Sequence, residues 1–304
     1  MTWRATLIKH VGTNGLSGST FGDWWKILRD NQFAVDVRYW PRAAFITWSS
    51  IVNSFVAHWE NKRHGAEIER TAVPPPLFVL GIWRSGTTHL HNLLAQDDRF
   101  AYPNTYEVLY PHTSLTTERA NARFMQWFIP ATRPMDNVKS SVREPQEDEF
   151  ALVACGLSFM LGLIIFPRGN GYRQFLSMQN ATPDELDAWK SALMRFLRKL
   201  SLKYKRPLVL KSPAHTGRIR VLLELFPEAK FVHIHRDPYA VYQSTTHTWR
   251  KVRSWWTLQK DEVDGDRIIE DYVESYDAFF AQRHLIPPQN FCEVAFDDLE
   301  RDPI

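Results

Sequence analysis

Residues 77–94, LFVLGIWRSGTTHLHNLL, constrain this chain more than any other stretch. Leu77, Phe78, Val79 and Leu80 form a short unbroken apolar run, the pattern of a strand buried on both faces of a parallel sheet. A glycine-bounded turn follows from Gly81 to Thr88, and Leu90, Leu93 and Leu94 then recur at helical spacing. Strand, glycine turn and helix in that order gather backbone N–H groups and a helix N-terminus at one point, ready for an anion. The spacing is that of a Walker A loop, GxxxxGK[ST], but Thr87 stands at the lysine position and Arg84 is the cation inside the loop. A nucleoside triphosphate uses that lysine to reach its outer phosphates. Without it the loop suits a shorter anion, with Ser85, Thr87 and Thr88 as hydroxyl donors. An ordinary tight strand–helix turn has the same letters, yet the flanking strand and helix favour phosphate binding.

Composition narrows the classes. The 304 residues fit one large α/β domain with an N-terminal appendage. With 37 basic and 34 acidic residues the net charge is only +3, too small an excess to imply nucleic acid. Two cysteines, Cys155 and Cys292, exclude a disulfide scaffold and a cysteine-based zinc site, and they fit a reducing compartment. The opening residues lack a secretory pattern, so the expectation is cytoplasmic, with membrane association as the alternative raised by the next segment.

Residues 1–70 read as an N-terminal helical extension and 71–304 as the α/β domain. The part up to Gly22 is expected to be loosely ordered. A helix is expected from Pro41, where Ala44, Phe45, Trp48, Ile51, Val52, Phe55, Val56 and Trp59 recur on one face. Docking of that face on the main domain is favoured, because no basic polar face accompanies it. Peripheral membrane contact through residues 42–60 is the other reading. Residues 60–70 read as a charged connector, stiffened by Pro74, Pro75 and Pro76 before the first strand.

Residues 100–111 read as strand and loop carrying one acid, Glu107; spacing alone favours a solvated loop acid, and its return to the sheet edge where open parallel sheets bind ligands is the minority reading. An acidic cluster, Glu144, Glu147, Asp148 and Glu149, opens an uncharged run over 150–167, expected to be a buried helix with its acids in the first turn. Thr182, Pro183 and Glu185 carry the cap, N1 and N3 signals of a long helix. Residues 208–210 form a second buried strand, with Lys211 and His215 just beyond it. A helix over 217–226 leads to a third strand over 230–235. Arg236 ends that strand, and Ser244 lies eight residues on, in a helix whose N1 is Pro238. Residues 271–280 read as a helix and 290–296 as a fourth strand. Strands separated by helices predict an α/β fold, a P-loop-type parallel sheet flanked by helices.

At this point the chain resembles the P-loop sulfotransferases, which use 3′-phosphoadenosine 5′-phosphosulfate (PAPS). GIWRSGTTHL is similar to the 5′-phosphosulfate loop in its RSGTT form. LVLKSPAH is similar to the central strand and loop of the bacterial and tyrosylprotein branches, FPEAKFVHIHRDPYAVYQS to the 3′-phosphate motif, and FDDLERDP to the segment after it. The resemblance runs from Leu77 to the end. It implies in-line attack of an acceptor hydroxyl or amine on sulfur, with no metal required. It assigns Arg84, Ser85, Gly86, Thr87 and Thr88 to the 5′ side and Arg236 and Ser244 to the 3′-phosphate. Arg84 also neutralises the bridging oxygen. Glu107 is expected as the base ahead of His215, His89 and His112, with Lys211 and His215 assisting. The acceptor expected is a small molecule, lipid or glycan. Relatives continue into a basic, glycine-containing stretch where this sequence stops at Ile304, so a fragment, or looser hold on the donor, is an expectation. Two alternatives remain: an ATP-dependent P-loop kinase, disfavoured by the missing lysine, and a non-catalytic module binding the product nucleotide PAP.

Overall fold

The structure is a computed structural model that describes residues 14–129, 132, 140–169, 171–260 and 265–302. The looseness expected at the start of the chain falls partly on residues 1–13, which lie outside the described residues.

Four parallel strands form one sheet: β1 (Leu77–Leu80), β2 (Val209–Lys211), β3 (Lys230–His235) and β4 (Phe291–Ala295), in the order β2-β1-β3-β4. All four lie within a residue of the stretches expected from their apolar runs. Side chains alternate across the sheet, so Phe78, Leu80, Leu210 and Phe231 enter the large core on one face. Val79, Val209, Val232 and Ile234 meet Leu90 and Leu299 on the other. The chain leaves β1 toward β2 and returns past it to β3. The carboxyl ends of β1 and β3 therefore flank the point where strand order reverses, where such sheets bind ligands.

Among the described residues two α-helices precede the sheet, α1 (Phe21–Asp30) and α2 (Trp40–Arg70). Thr20 and Asp23 close a reciprocal capping box on α1. The expected connector over 60–70 is the continuation of α2, and α2 itself faces the opposite way from the expected one. Its buried residues include Arg42, Ile46, Ser49, Ser50, Asn53 and Glu60, whereas Trp48 is 63% and Phe55 74% exposed. The polar side chains turn inward because the protein supplies partners for them. Asn53 Nδ2 donates to the Ser17 and Ser19 carbonyls at 2.7 and 3.1 Å, Arg42 Nη1 to the Thr257 carbonyl at 2.5 Å, and Glu60 pairs with buried Lys199. Apolar periodicity locates a stripe but says nothing of such partners.

Between β1 and β2 come α3 (Thr87–Leu94), α4 (Thr105–Leu109), α5 (Ser114–Gln126), α6 (Glu149–Ala154), α7 (Gln174–Ser177) and α8 (Pro183–Tyr204). The capping box read at Thr182 and Glu185 opens α8. The single buried helix expected over 150–167 is instead interrupted. It stops at Ala154, turns at Gly156 with φ +75°, and resumes as one wide turn at Leu161–Ile165. A helical glycine at that angle ends the first segment. Residues 100–111 hold the helix α4 and a bridge between Ala101 and Leu208, not a further strand of the sheet. After β2, a 3-10 segment Pro213–Gly217 precedes α9 (Ile219–Leu225). α10 (Pro238–Trp256) follows β3, α11 (Gly265–Gln282) precedes β4, and α12 (Phe296–Arg301) follows it.

Candidate active site

The loop between β1 and α3 takes its shape from two glycines. Gly81 has φ +139°, and a Cβ there would lie 2.5 Å from the Ile234 carbonyl oxygen. Gly86, at φ +100°, caps α3 and packs against Phe296 so closely that a Cβ would come within 2.3 Å of the ring. Arg84 holds a left-handed φ of +68° without being glycine, a conformation that costs about 1–3 kcal/mol and needs its surroundings to impose it. The surroundings are visible. Arg84 Nε donates to Ser244 Oγ at 2.8 Å, and Arg236 Nη1 reaches the Arg84 carbonyl at 3.4 Å. The guanidinium of Arg236 stacks 4.2 Å over Phe296. The two anion-binding stretches read separately in the sequence thus meet at the carboxyl ends of β1 and β3. Ser85 is fully buried and its hydroxyl donates to the Ile82 carbonyl at 2.7 Å, bracing the loop. Thr87 and Thr88 open α3 with first-turn N–H groups that need partners from outside the helix.

Three consecutive acids before and at the start of α6 each take a different base from the end of β2 and the segment after it. Glu147 Oε1 accepts from Lys211 Nζ at 2.6 Å, and Lys211 Nζ also lies 3.5 Å from Thr88 Oγ1. Asp148 Oδ2 and His215 Nε2 are 2.7 Å apart, both fully buried. Burial alone would raise the Asp148 carboxyl, but His215 more than reverses this and holds it below the usual range. Glu149 receives Arg218 bidentately at 2.6 and 3.1 Å, and also Ser158 and Ser212 hydroxyls at 2.6 and 3.3 Å. The sequence showed the acids as a helix-end cluster; their partners lie more than sixty residues away, out of reach of local pattern.

A cavity of about 190 Å³ opens beside this array. Its polar lining includes Arg84, Thr87, Thr88, Gln146, Glu147 and Lys251, and its apolar lining includes Trp83, Phe150, Met160, Trp249, Trp255 and Trp256. A second apolar cavity of about 390 Å³ lies behind the shared wall of Trp83 and Trp249, bounded by Tyr242, Tyr272 and Asp271. Burial pushes Asp271 up to about 6, against the pull of Arg173 and Arg267. Glu107 lines neither cavity. Its buried carboxylate caps α4 through the Asn104 N–H at 2.8 Å and accepts from Lys203 Nζ at 2.6 Å and Tyr204 OH at 2.9 Å. Burial raises its carboxyl while Lys203 opposes the rise. His89 is exposed on α3, and His112 sits 3.1 Å from Asp23 of α1, so neither borders the cavity. His91, buried beside Lys211, is pushed down to about 3 by burial and by that charge.

A profile of the sulfotransferase family matches residues 75–304, the loop, the acid–base array and the Arg236 motif included. The chain belongs to the sulfotransferase family. It is 39% identical over 290 residues to the omega-hydroxy-beta-dihydromenaquinone-9 sulfotransferase Stf3 of Mycobacterium bovis, and equally to that of Mycobacterium tuberculosis, covering 94% of this chain and 74% of the relative. Its fold superposes on the crystal structures of sulfotransferase STF1 from Mycobacterium tuberculosis, with a TM-score of 0.64 at 19% identity, and of STF9 from Mycobacterium avium, with 0.65 at 20%. Those matches cover 93% and 94% of this sulfotransferase and 79% and 81% of the two structures. The family and fold expected from the sequence therefore stand, and the chemistry of this enzyme is sulfuryl transfer.

Proposed function

We propose that this sulfotransferase moves a sulfuryl group from PAPS to the hydroxyl of an apolar lipid, with Glu147 rather than Glu107 as the base. The observation that carries the reading is the chain of contacts Glu147–Lys211–Thr88, whose two ends, Glu147 and Thr88, line a cavity rich in tryptophan. The lipid class is supported by that cavity's tryptophans and by the quinone-type acceptor in the name of Stf3.

The roles follow from charge and reach. The first-turn N–H groups of α3 and the Thr87 and Thr88 hydroxyls hold the 5′-phosphate. Arg236 and Ser244 hold the 3′-phosphate, and Arg84, already on Ser244, spans the two anionic ends. The donor's negative charge competes with Glu147 for the Lys211 ammonium. Drawn toward the sulfuryl oxygens, Lys211 leaves the carboxylate free to accept the acceptor's hydroxyl proton. As that oxygen bonds to sulfur, the sulfur–oxygen bond to the phosphate breaks, and Arg84 and Lys211 balance the charge gathering on the leaving oxygen. Asp148–His215 and Glu149–Arg218 fix the segment that carries Lys211. The test is transfer of radiolabelled sulfuryl from PAPS to an ω-hydroxylated prenylquinone, compared with a phenol and a glycan. Label on the prenylquinone is expected; label only on the phenol or glycan overturns the acceptor class, and transfer from γ-labelled ATP alone overturns the donor.

A further inference from the structure

The outward face of α2 asks for an occupant. Trp40, Trp48, Ile51, Val52, Phe55 and Trp59 are all exposed, along a stripe about 28 Å long at 1.5 Å per residue. α1 lies beside it and widens it. Phe21 donates its N–H to Ser54 of α2 at 2.8 Å, and Trp24 its indole N–H to Thr47 at 2.9 Å. Exposed Phe21, Trp25 and Phe33 then pack in a row, with ring centres 6.0 and 5.3 Å apart. A continuous apolar surface of this kind marks an interaction site, not ordinary surface scatter.

Charge decides what it fits. Between Asp36 and Glu67 the one acid is Glu60, and it is buried against Lys199. Along α2 the exposed charges that border the stripe are mainly cations, Arg38 at one end and Lys62 and Arg63 at the other, with Arg63 stacked 5.3 Å over Trp59. α1 adds Lys26 and Arg29 beside Asp30. A two-fold pairing of this face with itself would bring those cations together, and the exposed acids near it, Asp30 and Glu67, already face Lys26 and His64 of their own helices. Trp and Phe are the side chains that seat at a bilayer's headgroup level, and flanking cations suit anionic headgroups. Among the described residues no helix is long and apolar enough to cross a membrane, so the stripe is placed to lie on one.

We propose that the outer face of α1 and α2 docks this enzyme on the surface of an anionic lipid bilayer. The proposal does not depend on which acceptor the cavity takes. The α1–α2 unit also packs against the chain that follows Trp255 and Trp256 of the cavity wall. Asp36 N–H donates to the Leu258 carbonyl and Arg42 to that of Thr257, so docking holds the cavity near the lipid.

The test is flotation of the full chain with phosphatidylcholine vesicles and with vesicles containing phosphatidylglycerol, at low and high salt. The wild type is expected to float with the anionic vesicles and less with the neutral ones. The Trp48→Ser/Phe55→Ser double variant should lose about a hundredfold in partitioning, since each exposed ring withdrawn from water is worth roughly tenfold. Lys62→Glu/Arg63→Glu should lose the anionic preference and its salt sensitivity. A wild type that stays unbound to both vesicles overturns the proposal, as does an aromatic variant that floats equally well. A wild-type dimer in sedimentation that dissolves in the aromatic variant, without flotation, would give the face to a second copy instead. The charge variant carries the test independently should the aromatic one fail to fold.

Discussion

Replacing Glu147 by Gln separates the proposed base from Glu107, the residue that the family resemblance favoured. Gln keeps the length of the side chain and an oxygen for Lys211, which lies 2.6 Å from Glu147 Oε1, so the cavity wall and the loop should stay in place. What is lost is the proton acceptor. General-base removal costs typically 10²–10⁴ in rate, and with Lys211 and Arg84 intact the expectation is roughly 10²–10³ in kcat, or about 3–4 kcal/mol of barrier. KM for PAPS should not rise, because Glu147 does not touch the phosphates and a neutral Gln no longer competes with the donor for Lys211. Glu107→Gln should do the reverse. The Glu107 carboxylate is buried and holds Lys203, Tyr204 and the Asn104 N–H, so weakening it should lower stability by about 1–3 kcal/mol and leave kcat per folded molecule near the wild-type value. Steady-state sulfuryl transfer and urea unfolding, run on both variants, read the two effects apart. Loss of turnover in a folded Glu107→Gln enzyme, with Glu147→Gln within a few-fold of wild type, would refute the assignment and return the base to α4.

Three further outcomes are expected. Arg236→Ala removes a cation held over Phe296 beside the loop, and calorimetric titration with PAP should show affinity lower by about 1.5–3 kcal/mol, with Arg236→Lys intermediate. Glu149→Ala strands the buried Arg218 guanidinium and two hydroxyls, so denaturant unfolding should show a loss of about 3–5 kcal/mol. Asp271 titrates near 6 in the folded state against 3.8 as the ordinary value, so the protonated form is the favoured folded one. Its contribution to stability is fully present below 3.8 and is lost as pH rises through about 6. Asp271→Asn should therefore be more stable than wild type at pH 8, by at most roughly 3 kcal/mol, and no more stable at pH 4; equal stability at both values would contradict the burial argument.

The parts of this protein written in short stretches of sequence were legible there. The apolar runs at Leu77 and Leu208 mark β1 and β2 because burial on both faces needs unbroken hydrophobicity, and the mixed patterns at Lys230 and Phe291 mark β3 and the edge strand β4. Gly81 and Gly86 mark the loop because only glycine tolerates those positive angles so close to Ile234 and Phe296. The cap at Thr182 marks a helix start because it is satisfied within four residues. These signals also carry the family motifs, so fold and reaction class came with them.

What depended on long-range partners was left to the tertiary structure. Glu147, Asp148 and Glu149 look alike in the sequence, and only their separate pairing with Lys211, His215 and Arg218 gives one of them a cavity position and buries the other two. Glu107 has the placement that the family resemblance gives a base, but Lys203 and Tyr204 on α8 reach its carboxylate. The stripe on α2 was visible as a period, yet which side faced water turned on Asn53 and Glu60 finding partners in the interior. A local pattern records what each residue prefers next to its neighbours. Where charges and polar groups end up is decided by partners that only the folded chain brings within hydrogen-bond distance.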